Sequence, residues 1–183
     1  MKAAIIDLET TGLLKHPRAK AITQPRCIEF GAVVINHKGE QLDTMSQLIY
    51  PDQKIESVIT KITGITNNDL KGKPRFAEVY EDITKLICSC DAVIAHNLPF
   101  DKGVLYREFA MLWLETGAKD LVWPAIQLCT VQENVPVYGY RIKLKDLYKD
   151  VTGQSWTQKH RALDDCKALA EVVIQEGYLE MLG

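Results

Sequence analysis

The sequence predicts an α/β fold in which helices cover one mixed sheet. Two observations support it: three strand-like segments follow one another in the first fifty residues, and helix-like and strand-like segments alternate after them. A chain of 183 residues can form one domain with a substantial core and is hardly long enough for two. We find no repeat, low-complexity tract or linker, so we expect residues 1–183 to form a single domain.

The three strand-like segments have different signatures. Residues 2–8 begin with the apolar run AAII, which is typical of a buried strand. Residues 28–36 and 41–50 are rich in β-forming residues and are separated by the turn-like stretch 37–40. This pattern predicts a hairpin from the second and third strands.

The rest of the chain is mainly helical. Residues 55–88 are expected to be helical with interruptions at Gly64, Gly72 and Pro74, and residues 142–151 and 162–182 are expected to be helices. Residues 91–96 and 121–131 are expected to be the fourth and fifth strands. A further helix is predicted over 100–115, where apolar residues at helical spacing are expected in the core. These residues are Val104, Leu105, Phe109, Leu112 and Trp113.

Charge is unevenly distributed along the chain. The formal net charge of −2 excludes a basic field of the whole protein as the means of attracting nucleic acid. Residues 10–26 and residues 134–161 nevertheless carry a net charge of +4 each. These segments are either local patches for an anionic partner or ordinary solvated surface, and charge alone favours the second interpretation.

The five cysteines do not form a recognisable framework. Their odd number and irregular spacing exclude a disulfide scaffold and a CxxC-type zinc site, so we expect buried thiols in a reducing, cytoplasmic compartment. The apolar run after Met1 is too short for a signal peptide, and no run is long enough to span a membrane.

The segment DLETTG at 7–12 places two carboxylates at the end of the first strand. Asp7 and Glu9 are two positions apart, so both side chains point to the same face of the strand. Neighbouring carboxylates repel each other unless a cation or a proton is shared between them. The alternative is an acidic loop edge without a function.

The segment HNLPFDKGVL at 96–105 places Asp101 near the start of a helix. The free amides and the dipole of a helix start can orient this carboxylate toward a shared cation. An ordinary first-turn aspartate would give the same pattern.

The segment KHRALDDCKALA at 159–170 contains His160 and Asp165. On one continuous helix these residues would point in different directions, but both can face one cavity if the helix begins after His160. Asp165 lies on the apolar stripe of this helix with Leu169 and Val172, whereas Asp164 points away, so we select Asp165.

Together these three segments, with ITGIT at 62–66, resemble the motifs of the DEDDh family, the DnaQ-like 3′→5′ exonucleases. The resemblance covers roughly residues 3–175. It implies the ribonuclease H-like fold, a mixed five-stranded sheet flanked by helices. His160, in place of a tyrosine, implies the histidine subclass.

The resemblance also implies a role for each matching residue. The ligands of two divalent cations, Mg²⁺ or Mn²⁺, would be Asp7, Glu9, Asp101 and Asp165, and His160 would be the general base. Substrate contacts would come from Thr10, Thr11 and Leu13, from the pocket residues Ile62, Thr63 and Phe100, and from Asn97.

The activity implied is a metal-dependent 3′→5′ exonuclease that releases nucleoside 5′-monophosphates from single-stranded nucleic acid, with DNA favoured over RNA. A polymerase or another replication protein is a possible partner, and the sequence gives no oligomeric state. The alternatives are an exoribonuclease acting on short RNA or RNA 3′ tails and a non-catalytic nucleic-acid-binding module.

Overall fold

The computed structural model describes residues 1–16, 18–20 and 23–182. Five strands form one sheet in the order β3-β2-β1-β4-β5. The first three strands are antiparallel neighbours, and β4 and β5 are added in parallel to β1. The strands are β1 (Lys2–Thr10), β2 (Cys27–Asn36), β3 (Gln41–Leu48), β4 (Ala92–Ala95) and β5 (Ile126–Cys129). The predicted α/β class with a mixed five-stranded sheet is therefore confirmed.

Helices cover both faces of this sheet. They are α1 (Ser57–Thr63), α2 (Asn67–Leu70), α3 (Phe76–Cys88), α4 (Leu98–Thr116), α5 (Thr130–Tyr138), α6 (Leu144–Thr152), α7 (Ala162–Gln175) and α8 (Tyr178–Leu182).

Side chains of β1 alternate between two cores. Ala4 and Ile6 belong to the core that contains the buried residues of α3 and α4, whereas Ala3 and Ile5 belong to the core built with α6 and α7. Because alternate residues of a strand share a face, Asp7 and Glu9 project toward the α7 side.

The helical region 55–88 contains three helices, and the predicted interruptions at Gly64 and Gly72 agree with their left-handed backbone conformations, with φ of 71° and 74°. Other predictions were wrong for identifiable reasons. The long helix predicted over 162–182 is interrupted in the same way at Gly177, with φ of 68°. Trp113 is 58% exposed, whereas the other four apolar residues selected in α4 are buried.

The fifth strand is shorter than predicted. It covers Ile126–Cys129, and the chain then continues directly into α5, which was not predicted. The α5 sequence TVQENVPVY is rich in valine and contains Pro136, and both residue types disfavour a helix. Tertiary packing of Val131 and Asn134, both buried, stabilises the helix instead.

Two further expectations concern the thiols and the membrane. Cys27, Cys90, Cys129 and Cys166 are buried, as expected, whereas Cys88 is exposed. Among the helices of the described residues, none combines the length and the apolar character that crossing a bilayer requires.

Candidate active site

β1 positions the first two carboxylates. The strand continues to Thr10, so Asp7 and Glu9 both lie within regular strand. On the neighbouring strand β2, Gly31 lies opposite Asp7, and Glu29 lies opposite Glu9. Three carboxylates are thereby placed on two adjacent strands, all on the α7 side of the sheet.

Asp101 approaches β1 from the side of β4. β4 ends at Ala95, so the part of β1 that carries the carboxylates has no strand partner there. In this space Asp101 lies in the first turn of α4 and is only 3% exposed, near enough to its own amide and that of Leu8 for both to oppose the rise in its pKa. Its carboxylate therefore lies beside the residue that separates Asp7 from Glu9.

The segment before α7 contributes His160, and the first turn of α7 contributes Asp165. The helix begins at Ala162, which leaves His160 in the preceding segment with a left-handed φ of 50°. Asp165 is 4% exposed and Asp164 is exposed, so the predicted choice between the two agrees with their burial. Both His160 and Asp165 face the carboxylates of β1.

An ion pair between the buried carboxylate of Glu29 and the half-exposed Arg161 fixes the start of α7 on β2. Arg161 donates from Nε to Glu29 Oε2 at 3.0 Å and from Nη2 to Oε1 at 2.7 Å, and the amide of Ala162 donates to Oε2 at 3.0 Å. On the same face of β2, a Cβ added to Gly31 would lie 2.4 Å from the carbonyl carbon of Ala162. The helix start is thus held by Glu29 and lies directly on Gly31.

Sequence reasoning missed Glu29. One signal was available in the strand sequence CIEFGAVVIN. Apart from the last residue, Glu29 is the one position in it that is neither apolar nor glycine. A carboxylate in a buried strand needs a partner, and here that partner is Arg161.

The ligand atoms of three site residues converge. One atom each of Glu9, His160 and Asp165 lie within 4.8 Å of one another. Asp165 accepts a hydrogen bond from Gln158 at Oδ2, whereas its buried Oδ1 has no hydrogen-bond partner among the described residues. Asp7 and Asp101 lie outside this group of three. Asp7 is nevertheless close to it, because the charges of Asp101, Asp165 and Glu9 all raise its pKa.

Burial raises the pKa values of all four predicted ligands, and nearby carboxylates raise those of Asp7, Glu9 and Asp165 further. The pKa of Glu9 is raised to about 9, mainly by burial and then by the charges of Asp165 and Glu29. Burial raises the pKa of Asp101 to about 8 and that of Asp165 to about 6. The pKa of Asp7 is raised well above its ordinary value by burial and by the charge of Asp101.

This donor set fits divalent cations. The carboxylates of Asp7, Glu9, Asp101 and Asp165 are packed so closely that they remain protonated above their ordinary pKa values, and a cation between them would replace those protons. The unpartnered Oδ1 of Asp165 offers a free ligand atom. Oxygen donors of this kind are preferred by Mg²⁺ and Mn²⁺.

The residues after β1 border a groove of about 390 Å³. Thr11 and Leu13 line one wall, and residues 53–59 before and within α1 contribute the other. Leu13 is 80% exposed. The Thr10 hydroxyl donates to the carbonyl of Gly12, and the Thr11 hydroxyl accepts from the amide of Arg26, so both threonines hold the turn in place.

The remaining predicted contacts differ in accessibility. Ile62 is 49% exposed, whereas Thr63 is 3% exposed and its hydroxyl bonds to the carbonyl of Ile59 and the amide of Ile65. Phe100 is partly buried and packs against the core. The substrate roles of these residues stay predictions.

The chain is similar to known proteins over most of its length. A family model described as exonuclease (RNase_T) matches residues 4–173. The subunit epsilon of DNA polymerase III from Treponema pallidum (strain Nichols) is 31% identical over 166 residues, which are 91% of this chain and 72% of that protein. The PolC-type DNA polymerase III of Clostridium perfringens (strain 13 / Type A) is also 31% identical, over 92% of this chain, but the chain spans only 11% of its length.

Solved structures share the fold. Exonuclease X in complex with 5′ overhanging duplex DNA superposes with a TM-score of 0.65 and 25% identity, covering 94% of this chain and 89% of that one. The nuclease domain of 3′hExo, a DEDDh family member bound to rAMP, superposes with a TM-score of 0.71 and 18% identity, covering 99% and 91%. At 18% identity, the similarity to the 3′hExo nuclease domain shows a shared fold and nothing more.

Proposed function

The chain belongs to the RNase_T exonuclease family, as a DEDDh-type member with the ribonuclease H-like fold, and on this premise we propose that it removes nucleotides from the 3′ end of single-stranded DNA. The products would be nucleoside 5′-monophosphates, and the role would be proofreading or processing. A second candidate is the same reaction on RNA 3′ ends.

One observation carries this proposal. Four carboxylates and a histidine, from β1, α4 and the start of α7, converge on one site although they are separated by up to about 160 positions in the chain. Carboxylates placed this close repel one another, which lowers the stability of the fold. Cations bound between them would remove this repulsion and would also attract an anionic phosphodiester.

Asp7, Glu9, Asp101 and Asp165 would hold the divalent ions that the DEDDh-type family uses, and Mg²⁺ or Mn²⁺ suits their oxygen donors. Bound there, such ions lower the pKa of a coordinated water and balance the charge of the phosphate. Asp101 is buried in the first turn of α4, which limits its freedom, so it needs little rearrangement to take part.

His160 would accept the proton from the attacking water. Burial and the nearby charge of Lys145 lower its pKa, so the imidazole is neutral and able to accept a proton near neutral pH. Its ring nitrogen lies within 4.8 Å of ligand atoms of Glu9 and Asp165, and this proximity supports the proposed role.

The terminal nucleotide would occupy the groove after β1. Leu13 lines this groove and is exposed, and Ile62 is exposed on the neighbouring helix α1, so both offer apolar surface to the base. Gly12, which also lines the groove, lets the backbone approach the sugar or phosphate. Water is displaced from these side chains when a base covers them, which favours binding of an unpaired 3′ end.

The preference for DNA rests on the relatives. The epsilon subunit and the PolC-type enzyme, each 31% identical to this chain, are named as parts of DNA polymerase III, and exonuclease X was solved with duplex DNA. A replication polymerase is therefore the proposed partner.

A direct assay tests the proposal. DNA and RNA strands of matched sequence, labelled at the 5′ end, would be incubated with the protein in Mg²⁺ and in EDTA, with Asp165→Asn as the control for a contaminating nuclease. We expect a ladder shortened from the 3′ end, faster on DNA, only in Mg²⁺ and only with the unmutated protein. Faster loss of RNA would support the second candidate, and no hydrolysis with any divalent metal would support a binding module.

A further inference from the structure

The connection between α5 and α6, together with the first turn of α6, carries a row of exposed cations next to the site. Ile142 and Leu144 are buried, and Arg141, Lys143 and Lys145 alternate with them on the outside. The buried residues anchor the segment in the core below β4, so the three cations are held in a fixed row rather than on a loose loop.

These cations differ from the arginines that border the site elsewhere. Arg26 and Arg161 are bound to the buried carboxylates of Glu108 and Glu29. Within residues 1–16, 18–20 and 23–182, Lys143 and Lys145 form no salt bridge. Their charge therefore remains available for a ligand.

Two contacts place the row at the β4–β5 side of the site. Arg141 Nη2 donates to Asn97 Oδ1 at 2.8 Å, and Asn97 directly precedes α4, which carries Asp101. His96 Nε2 lies 3.0 Å from the carbonyl oxygen of Ile142, which ties the segment to the end of β4. At the other end of the row, Lys145 lies in the first turn of α6, which packs against α7, the helix that follows His160.

The groove proposed for the terminal nucleotide lies on the other side. Its wall of residues 53–59 belongs to a segment whose Ile55 packs on Ile28 of β2. In the sheet order, β2 and β4 flank β1 on opposite sides. A strand whose last nucleotide occupies the β2 side, with its scissile phosphate at the carboxylates of β1, must continue across the β4 side.

We propose that Arg141, Lys143 and Lys145 form a phosphate-binding track for the nucleotides on the 5′ side of the scissile bond, with Tyr140 as a stacking surface at its end. This inference rests on the proposed function, because it assumes a nucleic-acid strand in the site. Tyr140 is 60% exposed, and the centroid of its ring lies 6.2 Å from that of Tyr138. The ring therefore packs on Tyr138 and still has exposed surface on which a base could stack. Base stacking and backbone cations together are typical of surfaces that bind single strands without sequence preference.

The double variant Arg141→Gln/Lys143→Gln tests the track and leaves Lys145 beside His160 in place. We would measure kcat/KM for a single strand of about ten nucleotides between about 50 and about 200 mM KCl. Each lost phosphate contact on a single strand lowers the steepness of the logarithmic salt dependence by about 0.7, so we expect a loss of about 1.4. Tyr140→Ala is expected to lower kcat/KM for this strand by roughly 10-fold without changing the salt dependence.

Lys85→Gln is the matched control. Lys85 is an exposed cation in the last turn of α3, near the beginning of β4 rather than beyond its end, and its removal should leave the salt dependence unchanged. A dinucleotide, which reaches little beyond the scissile bond, should lose much less than the long strand in the double variant. An unchanged salt dependence in the double variant, or an equal loss for the dinucleotide, would overturn the track. Failure of the unmutated protein to cleave any strand would instead count against the proposed function.

Discussion

Arg161 binds the buried carboxylate of Glu29 at 2.7 and 3.0 Å, directly across the strand pair from Glu9. The same construction occurs a second time in the molecule, where Arg26 and the amide of Cys27 bind the buried carboxylate of Glu108. In each case an arginine and the next amide of the chain share one carboxylate. One pair fixes the start of α7 behind His160, and the other fixes the start of β2.

The first prediction concerns Glu29→Gln. The amide cannot bind Arg161 and the Ala162 amide as the carboxylate does, so the start of α7 and His160 should lose their fixed position. We expect kcat to fall by about 10- to 100-fold, as is common when a group supporting a metal site is lost. Steady-state kinetics should show this fall in kcat with little change in KM.

Glu108→Gln separates this effect from general loss of stability. Glu108 is 2% exposed and Glu29 is 1% exposed, and each carboxylate binds an arginine and a backbone amide, so each variant should lower the free energy of unfolding by about 1–3 kcal/mol. Only Glu29→Gln should lower kcat strongly. Equal kcat values in the two stably folded variants would show that Glu29 does not position the site.

The second prediction concerns Gly31→Ala. The added methyl would lie 2.4 Å from the backbone of Ala162, and backbone cannot move aside without displacing α7. We expect loss of most activity and a lower melting temperature. Gly103→Ala is the control, because its methyl would meet only the end of the flexible Leu14 side chain, at 2.6 Å. Comparable losses in both variants would contradict the special role of the α7 contact.

The sequence sufficed to predict the sheet, its helical cover and the position of His160 before a helix. Periodicity placed Asp7 and Glu9 on one face because strand geometry is local. The choice of Asp165 over Asp164 followed in the same way from the apolar stripe of α7, and burial agrees with it.

What escaped prediction depends on contacts between distant segments. Glu29 and Arg161 are 132 positions apart, and only the folded chain shows that they form a pair. The helix α5 forms against its own weak helix propensity because the folded chain buries Val131. Trp113 was expected in the core from helical spacing, but the neighbouring elements do not cover that side of α4.

The third prediction concerns stability without metal. The folded state holds protons on Glu9 and Asp101 at pH values where the unfolded chain has lost them, because their pKa values are raised to about 9 and about 8. The free energy of unfolding should therefore fall as the pH rises from about 4.5 to about 9 in EDTA. Urea unfolding across this range measures it. Mg²⁺ should restore stability most at the alkaline end, and a stability that rises with pH in EDTA would contradict the raised pKa values.

The fourth prediction concerns the pH dependence of the rate. The pKa of His160 lies below its ordinary 6.5, first through burial and then through the charge of Lys145. The neutral base should persist to lower pH, so the acidic fall in kcat should lie below pH 6.5. Lys145→Gln removes one of the two causes and should move this fall to higher pH. A profile unchanged in this variant would show that His160 is not the titrating group.

The fifth prediction separates the two chemical roles open to His160. Its ring nitrogen lies within 4.8 Å of ligand atoms of Glu9 and Asp165, a position that suits a proton acceptor and also a metal ligand. If His160 is the general base, His160→Ala should lower kcat by about 10²–10⁴-fold while calorimetric titration with Mn²⁺ shows unchanged affinity. His37→Ala, in the exposed turn between β2 and β3, should change neither quantity. Since a ligand's loss weakens metal binding and a base's loss does not, reduced Mn²⁺ affinity in His160→Ala would assign the histidine to the metal instead.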